Sequence, residues 1–452
     1  MANAERETDY LVVGAGAMGM AFADELLTQR PSARVALVDR HARPGGHWND
    51  AYSFVSLHQP AAYYGVNSLA LGRGGSALAS GREVLSYYEE VLRRLLSTGR
   101  LDYFPLCEHR GGGVVQSLIE PERAFTVRAR ECFVDATYMN VEVPSVTAPR
   151  YEVDPEVSLV PPNALPDLRE PHPEYVVIGA GKTGIDAVLF LLGNRVEPDR
   201  IAWIMPNDAW LLDRAHIQPG RMLDAGAASP FESFHAAGSL TEVLRWLEGE
   251  GRLLRLDPDV WPEKYRCATV SRDELTQLRR VHRVIRAGRV MAVAPGRLTL
   301  EQGVFASAPG ALHIDCTANG LARREGRPVF APGRITLQSL FMCQQVFSAS
   351  VIARIECLDA GPDEKNALSR PVPHPEVNRD YVFALANSLA NTNDWGRVFG
   401  RWLRRNRLFF IHHEAMWTLV LAGLRGRRVA ANATANLREV FTKEFPGQEC
   451  PL

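Results

Sequence analysis

The stretch YLVVGAGAMGMAFADELL (residues 10–27), followed by ARVALVDR (33–40) and ARPGGHW (42–48), decides the fold. Residues 10–13 form a short apolar run of the kind that makes a buried parallel strand. Gly14, Gly16 and Gly19 come next, and residues 20–27 continue as an apolar helix. Asp39 closes the next strand, 20 residues beyond Gly19. Glycines at this spacing between a strand and a helix, with an acid at that distance, are the dinucleotide-binding fingerprint in its required context. Gly14 permits the tight turn, Gly16 lets a pyrophosphate approach the backbone, and Gly19 lets helix and strand pack closely. The helix N-terminus then faces the phosphate charge. Asp39 can accept hydrogen bonds from a ribose diol. Nicotinamide and flavin dinucleotides satisfy this geometry equally.

The unit recurs. YVVIGAGKTGIDAVLFLL (175–192) aligns with residues 10–27 at an offset of 165, so Gly179, Gly181 and Gly184 match Gly14, Gly16 and Gly19. This is an internal duplication of a βαβ unit. Gly181-Lys182-Thr183 resembles the end of a phosphate-binding P-loop, but the glycine needed five positions earlier is Val176, which removes the nucleotide-triphosphate reading. The second unit's next strand, 201–205, ends without an acid, which removes a clash with a 2′-phosphate. Arg214 and Arg221 follow, and Arg214 is the candidate to bind that phosphate, with a surface ion pair as its plain alternative. Each unit also has a strand that exits through Asp-x-Thr: Asp135 to Thr137 and Asp315 to Thr317.

Composition sets the frame around these units. The 452 residues allow two or three domains. With 46% hydrophobic and 23% charged residues and a net charge of −1, there is no electrostatic reason to expect nucleic-acid or general membrane binding. The seven cysteines include no C-x-x-C pair, so reduced thiols and no metal site are expected. The polar N-terminus has no signal h-region and no run of 18 apolar residues occurs, so a cytoplasmic location is expected.

Elsewhere the reading is coarser. PGGHW (44–48) makes a flexible turn that either folds over a flat ring system or buries Trp48 in the core. Residues 51–72, rich in aromatics and small residues, read as pocket lining. Eight prolines between Pro144 and Pro173 mark an interdomain connection. Residues 209–283 read as a helical insertion, with helices at 240–247 and 272–284. The last third is helical, at 337–357, 381–389, 395–408 and 412–424. Arg397, Arg401, Arg404 and Arg405 share one face, which is either solvated or a strip for an acidic substrate, carrier protein or second subunit. Tyr63, Tyr64, Trp395, Trp402 and Trp417 suggest a partly apolar pocket, although core packing explains aromatics as well. The expected class is α/β: two Rossmann-like dinucleotide-binding domains and a helical C-terminal region. The first domain spans 1–165 with 310–345, the second 172–309, and the helical region 346–452.

Two fingerprints, PGGHW after the first, and the Asp-x-Thr exits resemble the flavin-dependent monooxygenases with two dinucleotide-binding domains (flavin-containing monooxygenases, Baeyer–Villiger enzymes and N-hydroxylases). The resemblance covers roughly residues 9–320. It implies FAD at Gly14, Gly16, Gly19 and Asp39, with Gly46, His47 and Trp48 bordering the flavin. It implies NADPH, or NADH, at Gly179, Gly181, Lys182, Thr183, Gly184 and Arg214, with Asp135 and Asp315 at the interdomain strands. Asn67 lies where the flavin-containing monooxygenases have an Asn-Ser pair near the flavin, which implies a catalytic asparagine beside a turn asparagine as the alternative. The implied reaction passes one oxygen atom from a C4a-(hydro)peroxyflavin, formed with O2, to nitrogen, sulfur or a carbonyl carbon of a small molecule. A flavin reductase, dehydrogenase or oxidase on the same scaffold is the other reading. The family's F-x-G-x-x-x-H signature is absent, since that region reads PPNALPDLREPHPEY (161–175), and Thr-Gly is replaced by Thr137-Tyr138. The chain is thus a divergent branch.

Overall fold

The structure, a computed structural model, describes residues 5–72, 77–221, 232–318, 320–321 and 324–452, with backbone alone for Ala236, Ala422 and 425–430. The first unit is β1 (Glu5–Val13), α1 (Ala17–Gln29) and β2 (Val35–Val38). Its strands run parallel in register from Tyr10↔Val35 to Val13↔Val38. Helix α1 is buried from Met18 to Leu27. A helix buried on all faces, here with Asp24 and Glu25 included, needs cover on both sides. The sheet covers one side of α1 and a C-terminal helix the other. The amphipathic α2 (Gly81–Ser97) starts at a Ser80/Glu83 capping box. It leads to β3 (Leu101–Phe104), and later β4 (Ala124–Asp135) runs alongside β1.

The second unit repeats the plan with β5 (Tyr175–Ile178), α3 (Lys182–Gly193) and β6 (Ile201–Ile204). Beyond it come β7 (Ala209–Asp213), β8 (Lys264–Val270), β9 (Leu312–Asp315) and β10 (Arg334–Thr336). The chain ends in α4 (Gln345–Glu356), α5 (Asn378–Arg405) and α6 (Met416–Glu444). The first sheet runs β10–β4–β1–β2–β3, with Phe330–Ala331 outside β10. The second runs β9–β5–β6, flanked by Leu159–Val160 and Val284–Ile285. The duplication holds at the level of register. Val13, just before Gly14, faces Asp135, and Ile178, just before Gly179, faces Asp315.

Several expectations change. Residues 209–283 are not all helical: β7, β8 and Leu253–Leu254 form a three-stranded sheet. The helices there are Leu240–Gly249 and Arg272–Leu278, with Val284 already in a strand, and 222–231 lie outside the described residues. Short apolar runs such as AWLLD have no period that separates strand from helix. The proline-rich passage supplies strands Glu152–Val153 and Leu159–Val160, and the latter joins the second sheet, as does β9. Both lie outside the 172–309 bounds expected for the second unit. Residues 381–405 form one helix broken at Phe399 (φ −143°, ψ 40°), and α4 and α6 start later than expected, at Gln345 and Met416.

The core is divided to match. One cluster joins the first sheet and α1 to α4 and Trp395, a second fills the second unit, and a third packs Trp210 and Tyr265 against Tyr381, Leu437 and Phe441. The C-terminal helices therefore touch both the first unit and the insertion.

Candidate functional site

Glycine sterics build the site. Gly14 has φ +106° and Gly179 +115°, values that disfavour any side chain. A Cβ at Gly19 would lie 1.9 Å from the Gly14 carbonyl oxygen, and one at Gly184 would lie 2.1 Å from that of Gly179. Both helices thus start in contact with their own strand exits. The units differ at the middle glycine. Gly46, with φ +56°, packs on the first loop so closely that a Cβ there would be 2.9 Å from Gly16 Cα, and the Gly45 amide donates to the Ala15 carbonyl at 2.9 Å. At Gly181 nothing lies within 4 Å of an added Cβ.

A cavity of 1210 Å³ opens between these elements. Gly14, Gly16, Asp39, Gly46, His47 and Trp48 line it from the first unit, and Lys182 and Thr183 from the second. Segment 51–72 contributes wall residues, including Tyr52, His58, Tyr63 and Tyr64, as expected of a pocket lining. Trp48 is buried, and its indole N–H donates to the Tyr64 hydroxyl at 2.7 Å. Asp39 Oδ2 accepts from the Ala15 amide at 2.6 Å, and Oδ1 accepts from the His41 amide at 2.7 Å. The His41 ring bridges Asp39 and Asp50 at 2.9 Å each, and the bond to Asp39 is the main reason its pKa is raised. Burial in the wall pushes His47 down to about 4 and His58 to about 3, so both are neutral.

The sequence candidates part company here. Lys182 pairs with Asp186, which also accepts from the Tyr52 hydroxyl at 2.6 Å. Asp135 and Asp315 do not line the cavity. Each holds its own exit turn by accepting from the amide and hydroxyl of the threonine two residues on, and Asp135 also pairs with Arg334 at 2.6 Å. Arg214 Nη2 donates to Glu274 at 2.8 Å and Nε to the His58 carbonyl at 3.1 Å, and Arg214 is not among the residues that line the cavity. Asn67 is turned away from the cavity. Its side-chain amide donates to Glu25 at 2.8 Å and accepts from the Arg407 backbone amide at 3.0 Å, so in this structure the expected catalytic asparagine joins α1 to the chain after α5. Trp395 donates to the Leu368 carbonyl, and Trp417 is 58% exposed, so neither belongs to the pocket. Arg397, Arg401, Arg404 and Arg405 lie on the exposed side of α5.

Other wall residues, Gln344, Gln345 and Tyr381 among them, were not legible in the sequence. His58 Nδ1, the Tyr63 and Tyr381 hydroxyls, Gln344 Oε1 and the Gln345 amide are buried at the cavity without a protein partner. Buried polar atoms need partners, so this set fits a polar guest. Cys267 and Cys343 also line the wall and are joined in a disulfide, which overturns the expectation of seven reduced thiols. Among the described residues no helix is long and apolar enough to cross a membrane.

The comparisons agree with this construction. The NAD(P)-binding Rossmann-like domain family matches residues 12–80. Uncharacterized protein Rv2000 of Mycobacterium tuberculosis (strain H37Rv) is 47% identical over 404 residues, covering 86% of this chain and 74% of its own. Uncharacterized protein Mb2023 of Mycobacterium bovis gives the same figures. Among solved structures, NADP+-bound cyclohexanone monooxygenase from Rhodococcus sp. Phi1 superposes with TM-score 0.52 at 12% identity, over 94% of this chain and 98% of that one. An epsilon-caprolactone-bound cyclohexanone monooxygenase gives 0.51 at 12%, over 94% and 99%. The chain belongs to the family of the mycobacterial protein Rv2000, and its fold is that of the class B flavin monooxygenases.

Proposed function

We propose that the chain is an FAD- and NAD(P)H-dependent monooxygenase that transfers one oxygen atom of O2 to a nitrogen, sulfur or carbonyl carbon of a small organic molecule. One observation carries the reading: Gly14 and Gly16 of the first fingerprint and Lys182 and Thr183 of the second open on the same cavity. Its 1210 Å³ exceeds the roughly 300–1,000 Å³ of an ordinary ligand pocket, which suits two cofactors and a substrate better than one guest. The flavin, when bound, supplies hydride acceptance and oxygen activation. The chain binds, orients and excludes water. Asp39 Oδ2 accepts one amide N–H and keeps a lone pair for a ribose hydroxyl. The unpartnered Tyr63, Gln344 and Gln345 atoms offer hydrogen bonds to a cofactor edge or a substrate.

Asn67 facing Glu25 and Arg407 favours a second reading, a flavin reductase or oxidase, because it removes the side chain proposed for the oxygen step. Purified protein is expected to carry a flavin spectrum, to bleach anaerobically with NADPH or NADH, and to place labelled oxygen in product when air and substrate are admitted. Bleaching followed only by hydrogen peroxide selects the second reading. Failure to bleach removes both.

A further inference from the structure

Cys267 sits where β8 departs from regular pairing. Trp210 faces Tyr265 but Leu211 faces Ala268, so Arg266 and Cys267 form a bulge, and Cys267 has φ +55°. Bulges re-aim side chains and concentrate near functional sites. A non-glycine residue in the left-handed region is strained and persists where its surroundings demand it. Its partner Cys343 follows Met342, also left-handed at φ +40°. Both sulfurs therefore reach the cavity wall over distorted backbone, 76 residues apart in sequence.

A third group stands beside them. A ring nitrogen of His374 and the two sulfurs all lie within 4.8 Å of one another, and His374 Nδ1 is buried without a partner. Burial lowers the pKa of His374, so the ring is neutral and keeps one nitrogen lone pair, with the Arg266 backbone as a hydrogen-bond partner and Glu376 and Arg266 as its charged neighbours. Strand β8 is also tied to the segment that follows His374. The Tyr265 amide donates to the Glu376 carbonyl at 3.1 Å, Lys264 pairs with Glu376 at 3.3 Å, and Lys264 bridges Val377. A cross-link that lies in a cavity wall, on distorted backbone and beside an imidazole, is arranged for exchange rather than for stapling.

We propose that Cys267, Cys343 and His374 form a thiol–disulfide exchange centre that opens on the cavity and takes a low-molecular-weight thiol as substrate. The His374 ring accepts the proton of the incoming thiol. The resulting thiolate attacks the half-buried Cys343 Sγ, the Cys267–Cys343 bond breaks, and the imidazolium returns the proton to the Cys267 thiolate. A second thiol attacks the mixed disulfide and releases the small-molecule disulfide. Two thiols are oxidised and the cysteine pair gains their two electrons and two protons.

The test uses the full-length protein in glutathione redox buffers, with acid quenching, maleimide labelling under denaturing conditions, and peptide mass analysis beside circular dichroism. In air, the other five cysteines are expected to label while Cys267 and Cys343 do not; with glutathione both label and the dichroism is unchanged. Cys343→Ser should leave Cys267 as a labelled thiol in air. His374→Ala and His374→Gln should reach the same end point about a hundredfold more slowly, the low end for a lost proton carrier, and added imidazole should restore part of the rate to His374→Ala. Labelling of both cysteines in air, reduction only on unfolding, or one zinc ion retained on the three side chains would each overturn the proposal.

Discussion

Gly46 lies against Gly16: a Cβ at position 46 would come 2.9 Å from the Gly16 α-carbon, and the backbone there has φ +56°. The PGG turn is therefore packed on the first fingerprint loop. Gly46→Ala should cost about 1–3 kcal/mol of stability. It should also purify with a reduced flavin-to-protein absorbance ratio. Full flavin content with an unchanged melting temperature would contradict this role for the turn.

The last and middle glycines of the second fingerprint should behave differently from one another. Gly184→Ala meets the Gly179 carbonyl oxygen at 2.1 Å, so helix and strand must move apart, and NAD(P)H-dependent flavin reduction should fall at least tenfold, on the order of 1.4 kcal/mol. Gly181→Ala enters open space and should fold normally, with its effect confined to the KM for the nicotinamide. Stopped-flow reduction and thermal melts of the two variants decide the matter.

Asn67→Ala tests the revised role of that residue. It strips one donor from buried Glu25, which also accepts from Trp402 at 2.7 Å and Ser350 at 3.1 Å, and leaves the Arg407 amide without its acceptor. The expected result is a loss of about 1–3 kcal/mol in urea unfolding, with the yield of oxygenated product per NAD(P)H unchanged. A selective rise in hydrogen peroxide at normal stability would return Asn67 to the oxygen chemistry.

Arg214 makes the matching case for the coenzyme. Arg214→Ala loses the pair to Glu274 and should destabilise by about 1.5–3 kcal/mol, the range for a hydrogen bond to a charged group. The ratio of kcat/KM for NADPH to that for NADH should not change. Steady-state kinetics with both coenzymes measure it.

Histidines at the wall set opposing pH trends. His47 falls to about 4 in the folded chain against about 6.5 unfolded, so the unfolded state binds more protons between those values. Stability from this group is complete above pH 6.5 and declines as pH drops towards 4. His41 is raised, mainly by its hydrogen bond to Asp39, so its contribution is complete below about 6.5 and is lost as pH rises through the folded value. Urea midpoints from pH 4 to 8 should flatten on the acid side in His47→Gln and on the alkaline side in His41→Gln.

What could be read from the chain follows the range of the interactions. The fingerprints were legible because a Cβ at Gly19 or Gly184 clashes with a carbonyl five residues away, a local constraint. The Asp-x-Thr exits were visible for the same reason, though their role turned out to be the turn itself. The hydrogen bonds of Arg214 and Asn67 were not legible because their partners are remote: Glu274 is 60 residues from Arg214, and Arg407 is 340 from Asn67. The disulfide and the polar wall atoms outside segment 51–72 carry no local signal, since the tertiary fold alone brings residues 267, 343, 344 and 381 to one surface.

The pairing of β4 with β10 has a consequence for how the molecule is made. Arg334 reaches Asp135 across 199 residues, and β10 closes the side of β4 away from β1. A ribosome delivering the chain from its N-terminus has therefore finished β5, β6 and β9 before the last strand beside β4 emerges. The later-encoded nucleotide unit completes its sheet first, and the earlier one waits with an open edge, the segment most in need of chaperone cover during synthesis.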